Sequence, residues 1–114
     1  MTKLPEWNGK VKHVNEKNFS EEVLKERRPV LVDFWSPSCV PCRVMIPSVE
    51  SIVDKYNGKV KVVSINVEDS PRLASRLGIQ SLPNILLFSN GEVQGQLIGR
   101  VSTTKLEGAL SPLL

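Results

Sequence analysis

The amino-acid sequence predicts an α/β domain: a central mixed sheet flanked on both faces by four helices. Two observations carry that expectation. Near-continuous apolar runs at Val30–Trp35 and Val60–Asn66 enclose a long amphipathic segment, and strand, helix, strand at this spacing makes a parallel, right-handed crossover. Further along, Pro83–Phe88 and Glu92–Ile98 flank Asn90-Gly91, a pair that favours a tight hairpin, so antiparallel pairing joins the parallel kind.

The remaining elements follow in order. Residues 1–9 read as a polar leading segment, with Trp7 as a packing anchor, and residues 10–114 as the folded domain. Lys10–Val14 is a short strand. Asn18-Phe19-Ser20-Glu21 resembles a helix N-cap with a reciprocating Glu, and Phe19, Val23 and Leu24 share one face of a helix ending near Arg28, just before Pro29. Met45, Val49, Ile52, Val53 and Tyr56 recur at helical spacing and mark the long second helix, which ends at Asn57-Gly58. Ser70-Pro71 starts a short third helix and Gly78 stops it. The last helix begins near Ser102–Thr104, buries Leu106, Ala109, Leu110 and Leu113, and is limited by Pro112. The order is β-α-β-α-β-α-β-β-α, and such a sheet needs helices on both faces.

Composition narrows the function. A chain of 114 residues with 40% hydrophobic content has material for one core without disulfide staples. Its 15 Lys and Arg are interleaved with 12 Asp and Glu, for a net charge of +3. The densest basic group, Lys25, Arg27 and Arg28, is accompanied by Glu21, Glu22 and Glu26, which reads as a solvated helix face rather than a nucleic-acid patch. No apolar run approaches the roughly 20 residues of a membrane helix. The first nine residues lack the apolar centre of a secretory signal, so the expected location is cytoplasmic; a monomer is the default expectation.

Only two cysteines occur, Cys39 and Cys42, where a buried strand hands over to a helix. Two intervening residues place both in the first helical turn, with Cα atoms roughly 5–6 Å apart, a separation that a disulfide accepts. Cys39 sits where unsatisfied backbone N–H groups and the helix dipole favour a thiolate, while Cys42 lies deeper. Pro41 is tolerated at a helix start. Attack by Cys39 and resolution by Cys42 follow from that asymmetry. Three plainer readings compete. Zinc usually takes four Cys or His ligands, and His13 alone joins the pair, so no metal is expected. A structural disulfide over so short a loop contributes little entropy. Inert buried thiols fit poorly with a proline-containing CxxC at a strand–helix junction.

From about Lys10 to Leu114 the chain resembles the thioredoxin family. The resemblance rests on Val-Asp-Phe-Trp at 32–35, Cys39-x-Pro41-Cys42, Pro47, Leu82-Pro83 before Ile-Leu-Leu-Phe, Asn90-Gly91-Glu92, and Gly99. It implies the thioredoxin fold and reduction of protein disulfides through a mixed-disulfide intermediate, without a cofactor beyond the Cys39–Cys42 disulfide. Implied partners are disulfide-containing client proteins and a thioredoxin reductase-type electron donor. By the same resemblance Asp33 is the buried acid behind the pair, Pro83 a cis-proline against the site, and Leu82 offers its backbone to an extended client. Gly99 is a close-approach position and Trp35 a packing aromatic; with Val40 and Pro41 they complete the expected client-binding surface. Independently, a lone carboxylate in an apolar strand should have a raised pKa, which suits a general base; the alternative is a carboxylate solvated through a gap.

The departures are Ser38, Val40 and Arg43, where relatives usually have Trp, Gly and Lys, together with Ser64 for a Lys near the buried acid and Ser81 for a Gly. Val40 and Ser38 motivate a second reading, a disulfide isomerase, oxidase or client-specific redox protein. A third is a non-catalytic binding subunit that uses the fold alone.

Overall fold

The computed structural model describes residues 3–114; Met1 and Thr2 of the leading segment lie outside the described residues. Five strands form one sheet: β1 (Lys12–His13), β2 (Val30–Trp35), β3 (Lys61–Asn66), β4 (Asn84–Ser89) and β5 (Glu92–Ile98). Their spatial order is β1-β3-β2-β4-β5. β3 runs parallel to both β1 and β2, whereas β4 is antiparallel to β2 and β5. The mixed sheet expected from the crossover and the hairpin is therefore present. At the hairpin tip Asn90 and Gly91 have φ of 52° and 79°, the left-handed pair that a two-residue turn requires.

Helices α1 (Val40–Tyr56), α2 (Pro71–Arg76) and α3 (Thr103–Leu110) complete the layers with a π-helical turn at Ser20–Leu24. Alternation along β2 divides the interior into two cores. Leu31 packs with Ile85 and Leu87 against Met45, Val49 and Ile52 of α1 and Leu106 and Leu110 of α3. Val30, Val32 and Phe34 face the other way, onto Phe19, Val23 and Leu73. Each such fully buried aliphatic side chain contributes about 1.5–3 kcal/mol, which fixes α1 over one face of β2.

Two boundaries and two caps differ from expectation. The first helix stops at Leu24 rather than near Arg28, because the Glu26 carboxylate accepts hydrogen bonds from the backbone N–H and guanidinium of Arg28 and draws the chain out of the helix before Pro29. Those bonds also hold the Glu26 carboxyl down to about 2. Asn18 does not cap that turn; its Oδ1 accepts from the Asn15 N–H instead. β1 shrinks to two residues. At α2, Ser70 occupies the N-cap but its hydroxyl is buried without a partner among the described residues. Glu16 does the capping from a distant loop, its Oε1 accepting from the N–H groups of Arg72 and Leu73 at 2.9 and 3.1 Å. Glu16→Ala should accordingly cost about 1 kcal/mol in a urea titration, as for loss of other caps.

Two members of the basic group are paired, Lys25 with Glu21 at 2.6 Å and Arg28 with Glu26 at 2.8 Å. The leading segment packs on the domain. Trp7 lies edge-on to both His13 and Trp35, with ring centroids 5.4 and 5.5 Å apart, the anchoring expected of it. The Asn8 N–H donates to the buried Glu50 carboxylate at 2.7 Å, which satisfies an acid that α1 could not otherwise bury at so little cost.

Candidate functional site

The site forms where β2 ends. After Trp35 the chain turns through residues 36–39, held by the Cys39 N–H donating to the Ser36 carbonyl at 3.1 Å, and enters α1. Cys39 is the N-cap, with extended backbone, and its Sγ accepts from the Cys42 N–H at 3.2 Å. A cap of this kind usually belongs to an oxygen; here a sulfur takes a free N–H of the first turn. Pro41 stands inside that turn, where its missing donor costs nothing.

Cys39 and Cys42 are joined in a disulfide with Cα atoms 5.3 Å apart, inside the separation expected from the spacing. Cys42 is buried, 1% exposed, whereas Cys39 is half-buried and the neighbouring Val40 is 52% exposed. The two bonded residues are therefore unequally exposed, Cys39 toward the surface and Cys42 inside. On reduction, negative charge on the outer sulfur is stabilised by the positive end of the 17-residue α1 and by the N–H already pointing at it.

Asp33 lies two residues before the end of β2, on the sheet face that α1 covers. Its cross-strand neighbours are Ser64 on β3 and Ile85 on β4. It is fully buried, and neither carboxylate oxygen has a hydrogen-bond partner among the described residues. The carboxyl is thus enclosed by the protein and not open to bulk solvent. Desolvation alone pushes its pKa up to about 7. At neutral pH this acid is poised between its two forms, the condition under which a carboxylate can take a proton and give it back.

The Leu82–Pro83 peptide is cis, as the family resemblance implied and as local sequence pattern alone could not indicate. Pro83 is buried, and its carbonyl accepts the Gly99 N–H at 2.8 Å, which ties the loop before β4 to the end of β5. Gly99 has φ of 84°, and a Cβ added there would meet nothing within 4 Å. What requires glycine in the free protein is therefore the backbone conformation, not crowding by the protein itself. Leu82 packs at the edge of the second core and Trp35 is half-buried under Trp7. Ser38, exposed, has its hydroxyl 3.3 Å from that of Ser36.

Two contacts escaped the sequence reading. The Arg43 guanidinium stands 3.8 Å from Glu6 in the leading segment, and His13 Nδ1 is hydrogen-bonded to Ser64 Oγ. Both join residues far apart in the chain, and no local periodicity signals them.

An N-capping cysteine bonded to a buried partner, on an open α/β sheet beyond the carboxyl end of a parallel strand, defines a thiol–disulfide oxidoreductase. The Thioredoxin family model matches residues 10–111. The chain is similar to the thioredoxin of Porphyra purpurea (42% identical, covering 89% of this chain and 94% of that one) and to that of Synechocystis (43%, with the same coverage). It is also 44% identical to thioredoxin M5, chloroplastic, of rice, covering 81% of this chain and 54% of that one. The chain belongs to the thioredoxin family. It is a protein-disulfide oxidoreductase with a redox-active disulfide. No helix among the described residues is long and apolar enough to cross a membrane, and no cluster of three or more metal-ligating side chains occurs among them.

Proposed function

We propose that the protein is a general reductase of protein disulfides in the cytoplasm, working as a monomer and recharged by a thioredoxin reductase-type electron donor. The observation that carries the reading is the unequal exposure of two bonded sulfurs at a helix N-terminus. In the reduced protein the Cys39 thiolate attacks a client disulfide and releases one client sulfur as a thiolate, which takes up a proton. Cys42 then gives its proton to Asp33 and attacks the Cys39 sulfur of the mixed disulfide. The Cys39–Cys42 disulfide forms, the second client thiolate leaves, and two electrons have passed to the client.

Leu82 and Pro83 line the approach together with Gly99, whose open Cα side leaves room for a client's extended backbone. Trp35, Val40 and Pro41 supply the surrounding apolar contacts. Residues 10–114 form the catalytic domain and residues 1–9 an extension, whose Glu6, Trp7 and Asn8 contact it. The test is reduction of insulin by dithiothreitol or by a thioredoxin reductase system. Catalysis well above the uncatalysed rate is expected; none, with both thiols shown to be accessible, would refute the reading.

A further inference from the structure

We propose that His13 and Ser64 form the exit through which Asp33 exchanges its proton with solvent. The inference rests on the reading of Asp33 as the proton acceptor for Cys42 and adds what that reading needs. To take the Cys42 proton Asp33 must first be a carboxylate, so its protonated form has to empty before the step. Asp33 is wholly enclosed, with no direct hydrogen-bond partner among the described residues through which to do so.

The register of the sheet supplies the route. Asp33 is paired with Ser64 on β3, and Ser64 with His13 on β1, so the three side chains form one row on the same face, at strand spacings of about 4.8 Å. Ser64 is 1% exposed and hydrogen-bonded to His13 Nδ1, while His13 is exposed on the edge strand. A cavity of about 300 Å³ lies along this row, lined by His13, Trp35, Ser64, Asn66 and Asp69 among others, and reaches inward as far as Ser64. Asp33 is not part of its lining, so the proposed route adds one enclosed water between the Ser64 hydroxyl and the Asp33 carboxyl, paired positions on neighbouring strands.

The transfer balances. The Asp33 carboxylic acid passes its proton, across that water, to Ser64 Oγ as Ser64 passes its own hydroxyl proton to His13 Nδ1. His13 becomes imidazolium and releases the proton held on Nε2 to solvent, leaving Asp33 a carboxylate. Trp7, edge-on to the His13 ring, holds it in place. The other groups facing the row do not offer a competing path. β4 and β5 contribute Ile85 and Leu97, α3 contributes Leu106 and Leu110, and of the buried titratable side chains of α1, Cys42 is the proton donor and Glu50 is held by the Asn8 N–H. Asp69 lines the cavity at its exposed side.

The experiment follows single-turnover oxidation of the reduced full-length protein by excess insulin at pH 6, where Asp33 starts protonated and must empty through the exit before it can take the Cys42 proton. It is run at low buffer concentration and constant ionic strength, with and without added imidazole. His13→Phe keeps a ring against Trp7 but carries no proton; its rate should fall roughly tenfold and be restored by imidazole, to which the parent is indifferent. Ser64→Ala should also slow, and Ser64→Thr, which keeps a hydroxyl, should recover the rate. His13→Phe or Ser64→Ala turning over at the parental rate overturns the exit, as does a slow His13→Phe that imidazole leaves unchanged. Asp33→Asn separates the two levels. If it is slow while both exit variants are fast, only the exit fails; if it too runs at the parental rate, the role of Asp33 fails.

Discussion

Cys39→Ser is expected to reduce insulin more slowly than the parent by more than about 10³-fold, to the level of the uncatalysed reaction. A hydroxyl at the N-cap accepts the Cys42 N–H as well as the sulfur does, so the fold should be unaffected and the loss purely chemical. Cys42→Ser should behave differently. Its Cys39 still attacks, but no inner thiol resolves the adduct, so a mixed disulfide with the client accumulates and can be isolated under non-reducing conditions. Mass spectrometry of the two variants after exposure to insulin checks the assignment: an adduct on Cys39 in Cys42→Ser and none in Cys39→Ser. The opposite pattern would reverse the roles of the two sulfurs. The buried position of Cys42, at 1% exposed, makes that reversal sterically untenable for a protein client.

The second large effect concerns stability. Asp33 is protonated in the folded protein up to about pH 7, but in the unfolded chain only up to its ordinary 3.8. Between those values the folded state holds a proton that the unfolded state has lost, so stability falls as pH rises through this window and levels off above it. The separation corresponds to on the order of 4 kcal/mol, a large part of the stability of a domain this size. Asp33→Asn, which cannot ionise, should lack this dependence. Urea titrations of parent and variant at pH 4 and pH 8 should show the variant gaining several kcal/mol relative to the parent on going to the higher pH. Parallel pH dependence of the two would mean that the carboxyl is not desolvated as the structure indicates. The same burial that destabilises the protein at neutral pH suits the acid to proton transfer, so a variant more stable and slower at resolution is the expected combination.

Much of this was legible in local patterns. The continuous apolar run at Val30–Trp35 marked a strand covered on both faces, and the helical recurrence from Met45 to Tyr56 marked α1. Asn90-Gly91 located the hairpin because only a few residue pairs adopt two successive positive φ values at little cost. The cysteine pair was readable for the same reason, since two intervening residues and a strand–helix junction fix both the spacing and the unequal depth. Asp33 stood out as a charge in an apolar strand. What escaped was set by contacts across the fold. Ser70 looks like a cap in sequence, but Glu16, more than fifty positions before it, reaches α2 first. The first helix is cut short by a carboxylate–guanidinium pair between Glu26 and Arg28 whose geometry competes with the helix. The Trp7 contacts and the His13–Ser64 bond depend on which strand ends at the sheet edge, which a pattern confined to one segment does not encode.

Whether Cys39 and Cys42 serve a protein-disulfide reductase is decided by the equilibrium reduction potential of their disulfide, measured against glutathione or a dithiol buffer. Reference values for other proteins are about −270 mV for thioredoxin and about −180 mV for protein disulfide isomerase. Val40 and Ser38 distinguish this site from the usual family sequence, and each 30 mV corresponds to about 1.4 kcal/mol between the dithiol and disulfide forms. A reductase role predicts a potential at the thioredoxin end of that interval, below about −230 mV. A value at or above that of the isomerase would contradict it and make the protein a donor of disulfides.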